Sequence, residues 1–366
     1  MKFPGLILSL AGATLLSMSS VSWAQSISMS YVTVGNPGNA PDPATGSLYG
    51  EVDYSYNIGE YDVTDSQYAT FLNDVDPTGF NVLGLYSGLV APGYGISFDG
   101  NATDGSFYSV KSGYANMPVV GVTFWDAVRF VNWVNNGEGN AGTETGAYTL
   151  MGGTPTPSNS GTVARNADAT VWLPNQNEWY KAGYYDPSEE NYSAFATKSD
   201  GTPGNTIGNG ANEANYYYYN GSQYVYSVTQ SSSYDSNQNY LTPVGSFTGS
   251  SSFYGTYDQS GDVSDWSDTI YGEGNRSLVG GSWNEESIFQ STIGDAFSIL
   301  EPYEVSDKVG FRVVEAIPEP SSITLMFAGV GGLALLRRNA RRPRHSSGSE
   351  CSGNNSRVSY KAAGGT

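Results

Sequence analysis

Apolar side chains recur at helical spacing in only three stretches of this 366-residue chain. "VTDSQYATFLNDV" (63–75) opens on a Thr/Asp cap and puts Tyr68, Phe71, Leu72 and Val75 on one face, which predicts a helix. "TFWDAVRFVNWVNN" (123–136) repeats the pattern with Phe124, Val128, Val131 and either Trp133 or Val134. A shorter helix is predicted within "PNQNEWYKAGYY" (174–185). Elsewhere short apolar runs alternate with polar, Gly- and Ser-rich stretches such as "GGTPTPSNSG" (152–161) and "TQSSSYDSNQN" (229–239), which read as turns and long loops. Residues 25–50 are rich in Gly, Pro and Asn and read as an extended segment. No linker divides 51–316, so one large domain of few helices, short strands and many loops is expected. That much irregular backbone needs support beyond sheet pairing, and bound cations are a common source.

The two ends follow a different pattern. Residues 1–24 carry Lys2, an apolar core "FPGLILSLAGATLL" and small residues Ser22 and Ala24 before Gln25, the layout of a secretory signal peptide. At the other end, "IPEPSSITLMFAGVGGLALLRRNARR" (317–342) sets Pro-Glu-Pro before an apolar run and an arginine cluster. The run Ile323–Leu336 has 14 residues, short of the roughly 20 that a spanning helix needs. Arg337, Arg338, Arg341, Arg342 and Arg344 would halt transfer at the cytoplasmic face. The whole of 317–344 resembles a PEP-CTERM sorting signal. That resemblance implies export in a Gram-negative bacterium, processing near Pro318–Pro320 by an exosortase-type enzyme, and residence at the cell surface, the outer membrane or outside. The membrane would then be met only through this short segment. Residues 345–366 read as a disordered tail.

Charge and rare residues narrow the chemistry. Between residues 25 and 318 lie 33 acidic and 8 basic side chains, a net charge of −25. Such a surface repels nucleic acid and anionic membranes. Cys351 and His345 are the sole cysteine and histidine, and both lie in the tail. Residues 25–318 therefore hold no disulfide framework, thiolate nucleophile, His-ligated metal or Ser-His-Asp triad. Carboxylates, hydroxyls, tyrosines and a few Lys and Arg remain.

Eight stretches, in order, resemble the sulfatase-modifying-factor family, that of the formylglycine-generating enzymes. They are "IGEYDVTDSQYATFLN" (58–73), "MPVVGVTFWDAVRFVNWV" (117–134), "VWLPNQNEWYKAG" (171–183), "ANYYYYNG" (214–221), "TPVGSF" (242–247), "FYGTYDQSGDVSDWSD" (253–268), "LVGGSWN" (278–284) and "VGFRVV" (309–314). The resemblance implies an α+β variant of the C-type-lectin-like fold. Its motifs read first as scaffold. Trp125, Trp133, Trp172, Trp179, Trp266 and Trp283 are expected in the core, the glycines of "GGSW" at a close backbone approach, and Arg312 against a buried acid such as Glu178.

Active members of that family oxidise a sulfatase cysteine with copper held by two cysteines just after "GGSW". Those positions fall on Glu285 and Gln290 here. Copper is not expected, because neither carboxylate nor amide replaces a soft thiolate pair. The family's calcium sites carry over differently. One maps onto the side chains of Asp258 and Asp265 with the carbonyls of Gly261 and Val263. A second starts at Asn215 and the backbone of Tyr216, with Asp235 as a poor match for its acid. Hard oxygen donors of this kind suit Ca²⁺. Asp262 and Asp268 are assigned to a solvated acidic loop. The tyrosines of "NYYYYNGSQYVY" (215–226) are expected in strand packing, with presentation to a glycan as the other reading.

Three functions follow from these residues. The first is a calcium-stabilised binding or structural module for exopolysaccharide or a surface protein. The second is an enzyme working in the family pocket through Glu285, Gln290 or a tyrosine, which a convergent acid beside Glu285 would support. The third, formylglycine generation, lacks its cysteines.

Overall fold

The computed structural model describes residues 26–318 except Glu273 and 293–296. The expected signal peptide, the apolar run Ile323–Leu336 and the 345–366 tail lie outside the described residues. Among the described residues no helix is long and apolar enough to cross a membrane.

All three expected helices form: α1 (Asp65–Val75), α2 (Phe124–Asn135) and α3 (Gln176–Tyr184). Each begins with a reciprocal capping box. Thr64 pairs with Gln67, Thr123 with Asp126, and Asn175 with Glu178. These side chains satisfy amides that have no partner in the first turn. The α1 face expected from its periodicity is largely buried, with Tyr68, Phe71 and Leu72 enclosed and Val75 half-exposed. Every residue of α2 from Phe124 to Trp133 is buried, so it runs through the core rather than over it. Phe71, Phe130, Trp133 and Phe311 meet there at ring centroid distances of 5.2–5.7 Å, two contacts edge-on and two tilted. All six expected tryptophans are buried.

Two four-stranded sheets flank this core. The first joins β1 (Tyr31–Val34), β2 (Tyr56–Gly59), β3 (Val171–Trp172) and β8 (Val314–Ala316) in the order β1-β2-β8-β3, all antiparallel. The extended 25–50 segment thus supplies an edge strand. The second joins β4 (Ser264–Tyr271), β5 (Asn275–Val279), β6 (Phe297–Leu300) and β7 (Val309–Gly310) in the order β6-β5-β4-β7. β7 runs parallel to β4 and places Gly310 beside Asp265. "VGFRVVEA" (309–316) therefore belongs to both sheets, and its central Phe311, Arg312 and Val313 are fully buried.

Asp65, in the first turn of α1, is enclosed, and one of its carboxylate oxygens has no hydrogen-bond partner among the described residues. A Cβ on Gly95 would lie 1.8 Å from that oxygen, so the carboxyl fills the space a larger residue would need. Burial pushes its pKa up to about 8 despite the opposing charge of Lys111. The folded chain holds this proton after the unfolded chain has released it near pH 4. Stability from this group is therefore present below pH 4 and declines as pH rises toward 8. Asp65→Asn should flatten that decline and raise the melting temperature above pH 8, read from thermal melts at pH 5 and 8.5; an unchanged pH slope would refute the assignment.

Candidate functional site

The acidic stretch 257–268 runs from a loop into β4, and its aspartates are drawn inward. Asp258 sits in the left-handed region (φ 62°) and its Oδ2 accepts the Gly245 amide at 2.6 Å. Gly261 follows at φ 99°, where a Cβ would stand 2.2 Å from the Asn215 carbonyl oxygen. Only glycine permits that approach. Asp262 is buried, contrary to the solvated loop expected for it. Its Oδ1 accepts the Asn215 side-chain amide at 2.8 Å and the Thr242 backbone amide at 3.0 Å, while Oδ2 accepts the Thr242 hydroxyl. Burial, and then the charge of Asp258, push Asp262 up to about 8; burial, with a smaller push from Asp265, lifts Asp258 to about 6 against the Gly245 amide and Arg312. Asp268 is half-buried and accepts the Tyr148 hydroxyl at 3.1 Å.

Asp265 faces the centre of the molecule. Its Oδ2 accepts Arg312 Nε at 2.7 Å and the Trp179 indole at 2.8 Å. Arg312 also donates from Nη2 to Asp62 and to the Tyr257 carbonyl, and from Nη1 to the Gly59 carbonyl at 3.2 Å. Both acids and the arginine are almost wholly enclosed. The expected pairing of Arg312 with Glu178 is corrected. Glu178 sits instead with Arg165 at 2.8 Å, the Trp172 indole and Tyr54, at the start of α3. The reason is chain geometry: β7 pairs with β4 so that Asp265 lies beside Gly310, two residues before Arg312.

The two expected calcium ligand sets can be tested against this geometry. Asp265 Oδ1 is buried without a hydrogen-bond partner among the described residues, and so is Asn215 Oδ1. Each set therefore holds one sequestered oxygen facing no donor, and the carboxylate, amide and carbonyl chemistry suits a hard cation. Asp262, not Asp235, is the acid against Asn215. Asp235 is exposed and caps its own loop through Asn237. The Tyr216 carbonyl accepts Asn205 Nδ2 at 3.4 Å. Among the described residues no three acidic, His or Cys side chains converge as a metal cluster, so any such site is mixed with carbonyls.

The "GGSW" turn closes the site. A Cβ on Gly280 (φ 97°) would lie 2.8 Å from the Trp179 ring, and one on Gly281 (φ 67°) 2.8 Å from Gln290 Cγ. Gln290 is sealed, with neither amide atom hydrogen-bonded among the described residues, and Tyr184 donates to its backbone carbonyl at 3.1 Å. Glu285 is half-exposed and its carbonyl accepts the Tyr217 amide at 3.0 Å. Its neighbour Glu286 accepts the Tyr224 hydroxyl at 2.8 Å. Beside the turn, Tyr224, Tyr217, Tyr226, Tyr240, Trp283 and Tyr234 form one run of ring contacts, with centroids 4.6–5.6 Å apart. The tyrosine stretch 215–226 supplies Tyr217, Tyr224 and Tyr226; Tyr234, Tyr240 and Trp283 join from outside it and were not expected as partners.

Removing Arg312 would strand Asp62 and Asp265 without compensation. Arg312→Leu should cost about 3–5 kcal/mol in urea unfolding, and adding Asp62→Asn and Asp265→Asn should recover part of it. A loss under about 1 kcal/mol would show that the pair holds nothing together.

Comparison with known proteins agrees with this architecture. The family described as sulfatase-modifying factor enzyme 1-like domain matches residues 47–317, and the PEP-CTERM protein-sorting motif matches 316–342. No curated protein gives a significant match. Among solved structures, CarF is 20% identical with a TM-score of 0.51, covering 80% of this chain and 99% of its own. Treponema denticola variable protein 1 is 16% identical with a TM-score of 0.48, covering 81% and 98%. The likeness to CarF bears on the fold. The sorting motif marks the protein for export to the surface of a Gram-negative cell and for exosortase processing. With the family match spanning most of its length, the chain belongs to the sulfatase-modifying factor enzyme 1-like family.

Proposed function

We propose that this protein is an exported, non-oxidising member of its family that serves as a calcium-stabilised binding module for surface polysaccharide. The observation that carries the reading is Gln290. At the position of a family thiolate stands a sealed amide with no hydrogen-bond partner, and Glu285, at the other thiolate position, is half-exposed. An amide is neither nucleophile nor soft ligand. The aromatic run beside the turn supports binding, because large rigid rings supply contact area at small entropic cost.

Calcium would be held by Asp258, Asp265 and the carbonyls of Gly261 and Val263, and a second ion by Asn215 and the Tyr216 carbonyl. The chemistry supplied is neutralisation of a buried acidic cluster and fixation of the loops that carry it. Binding to the folded state alone raises stability. Millimolar Ca²⁺ should therefore raise the melting temperature relative to EGTA, and Asp258→Asn should abolish most of that rise while leaving the apo melt cooperative. Equal melting in Ca²⁺ and EGTA would remove the ion from the account.

The oxidase reading gives an opposite result in one assay. A cysteine-containing sulfatase peptide, incubated with the protein, copper and oxygen, should emerge unchanged by mass spectrometry. Any turnover would overturn the proposed function.

A further inference from the structure

An open cleft of about 520 Å³ lies between the 26–30 segment, the outer face of α1 and the turns that carry Tyr61, Asn116 and Val244. It shares no residue with the "GGSW" turn or the aromatic run beside it. The helix forms one wall. Its period turns Tyr68, Phe71 and Leu72 into the core, which leaves Ser66, Gln67 and Thr70 toward the cleft. The 26–30 segment forms another, with Ser26, Ser28 and Ser30 exposed and Ile27 and Met29 packed against the core between them. Gln67 Nε2 donates to the Ser28 carbonyl at 2.8 Å and ties these two walls together. The Val244 amide donates to the Asn116 carbonyl at 2.8 Å and joins the remaining two.

The groups in the cleft define a class of ligand by what they refuse. No Lys or Arg lines it, and Asp62 is its one charged side chain. That carboxylate offers a ligand no grip: Oδ1 is paired with Arg312, and Oδ2 is buried. The start of α1, where an anion would dock on free amides, is closed as well. The Asp65 and Ser66 amides donate to the Met117 and Ala115 carbonyls at 3.0 and 3.2 Å, and the Gln67 amide donates to Thr64 Oγ1 at 3.4 Å. Neither an anion nor a cation finds a counter-charge. What remains on the surface of the cleft is uncharged: the exposed hydroxyls of Ser28, Ser30 and Ser66 and the exposed amide of Asn116. Each of these groups both donates and accepts. Ile27, Met29 and Val244 add apolar surface among them. A sugar carries the matching mixture, hydroxyls that donate and accept around a ring of C–H groups. The volume falls in the range of small-molecule sites.

We propose that the cleft between the 26–30 segment and α1 is a subsite for a short, neutral, hydroxyl-rich stretch of polysaccharide. The proposal rests on the binding-module reading and gives it a place and a charge class.

The test titrates the purified full-length chain by calorimetry with soluble neutral oligosaccharides of β-linked glucose, mannose and galactose. Polygalacturonate serves as the anionic probe and a chitosan oligosaccharide as the cationic one. At least one neutral probe should bind. The double substitution Ser66→Leu and Thr70→Leu, which replaces two wall hydroxyls by apolar bulk on a helix that tolerates leucine, should weaken it about tenfold or more. Asn116→Ala, in an exposed turn away from the helix, should weaken it several-fold and keeps the test valid if the double variant melts early. Tyr234→Ala, at the exposed end of the aromatic run, should bind as the parent does. Neutral binding lost in Tyr234→Ala but untouched by the α1 and Asn116 variants would overturn this subsite and leave the binding-module reading standing. Binding of polygalacturonate or chitosan alone would overturn the neutral class. Failure of every probe would overturn both.

Discussion

Arg312 organises this molecule. It lies on the one short segment shared by both four-stranded sheets, and its guanidinium reaches Asp265 on β4, Asp62 after β2, and the carbonyls of Gly59 and Tyr257. Asp265 in turn holds the Trp179 indole of α3. Two sheets, one helix and the acidic loop thus converge on a single buried cation. A pair so deep earns little net stability over an apolar packing of the same shape, because desolvation offsets attraction. What it supplies is geometry: a planar fork satisfied by four acceptors on two stretches of chain, 59–62 and 257–265, that are distant in sequence.

That constraint makes the surrounding carboxylates costly. Asp62, Asp258 and Asp262 are all pushed up by burial, and neighbouring negative charges add to the shift in each. One arginine cannot balance four acids. The backbone bends to fit them as well, with Asp258 and Asp262 in left-handed conformations and Gly261 against the Asn215 carbonyl. The calcium proposed above would offset this crowding of negative charge.

Much of the frame was legible in the sequence. The helices announced themselves by 3.6-residue periodicity and caps, and their ends fell within two residues of expectation. The tryptophans read correctly as core because such large apolar rings are costly to leave in water. The node itself was not legible. Arg312 and Asp62 are 250 residues apart, and no local pattern distinguishes Asp265 from Glu178 as its partner. Asp262 failed for the same reason: four aspartates in twelve residues look solvated until Asn215 and Thr242, from other loops, close over them. Tyr234 reads as part of a polar loop, and only the fold lays it over Tyr240 and Trp283.

The account holds that the family frame is intact and that its reactive side chains alone are gone. Restoring them tests this most directly. The double substitution Glu285→Cys and Gln290→Cys, titrated anaerobically with Cu(I), should bind one copper per chain and keep a cooperative melt, since a thiol tolerates the enclosure at position 290 better than an amide without partners. A folded double variant that binds no copper, or one that loses its cooperative transition, would contradict the claim that these positions are still held where the family holds them.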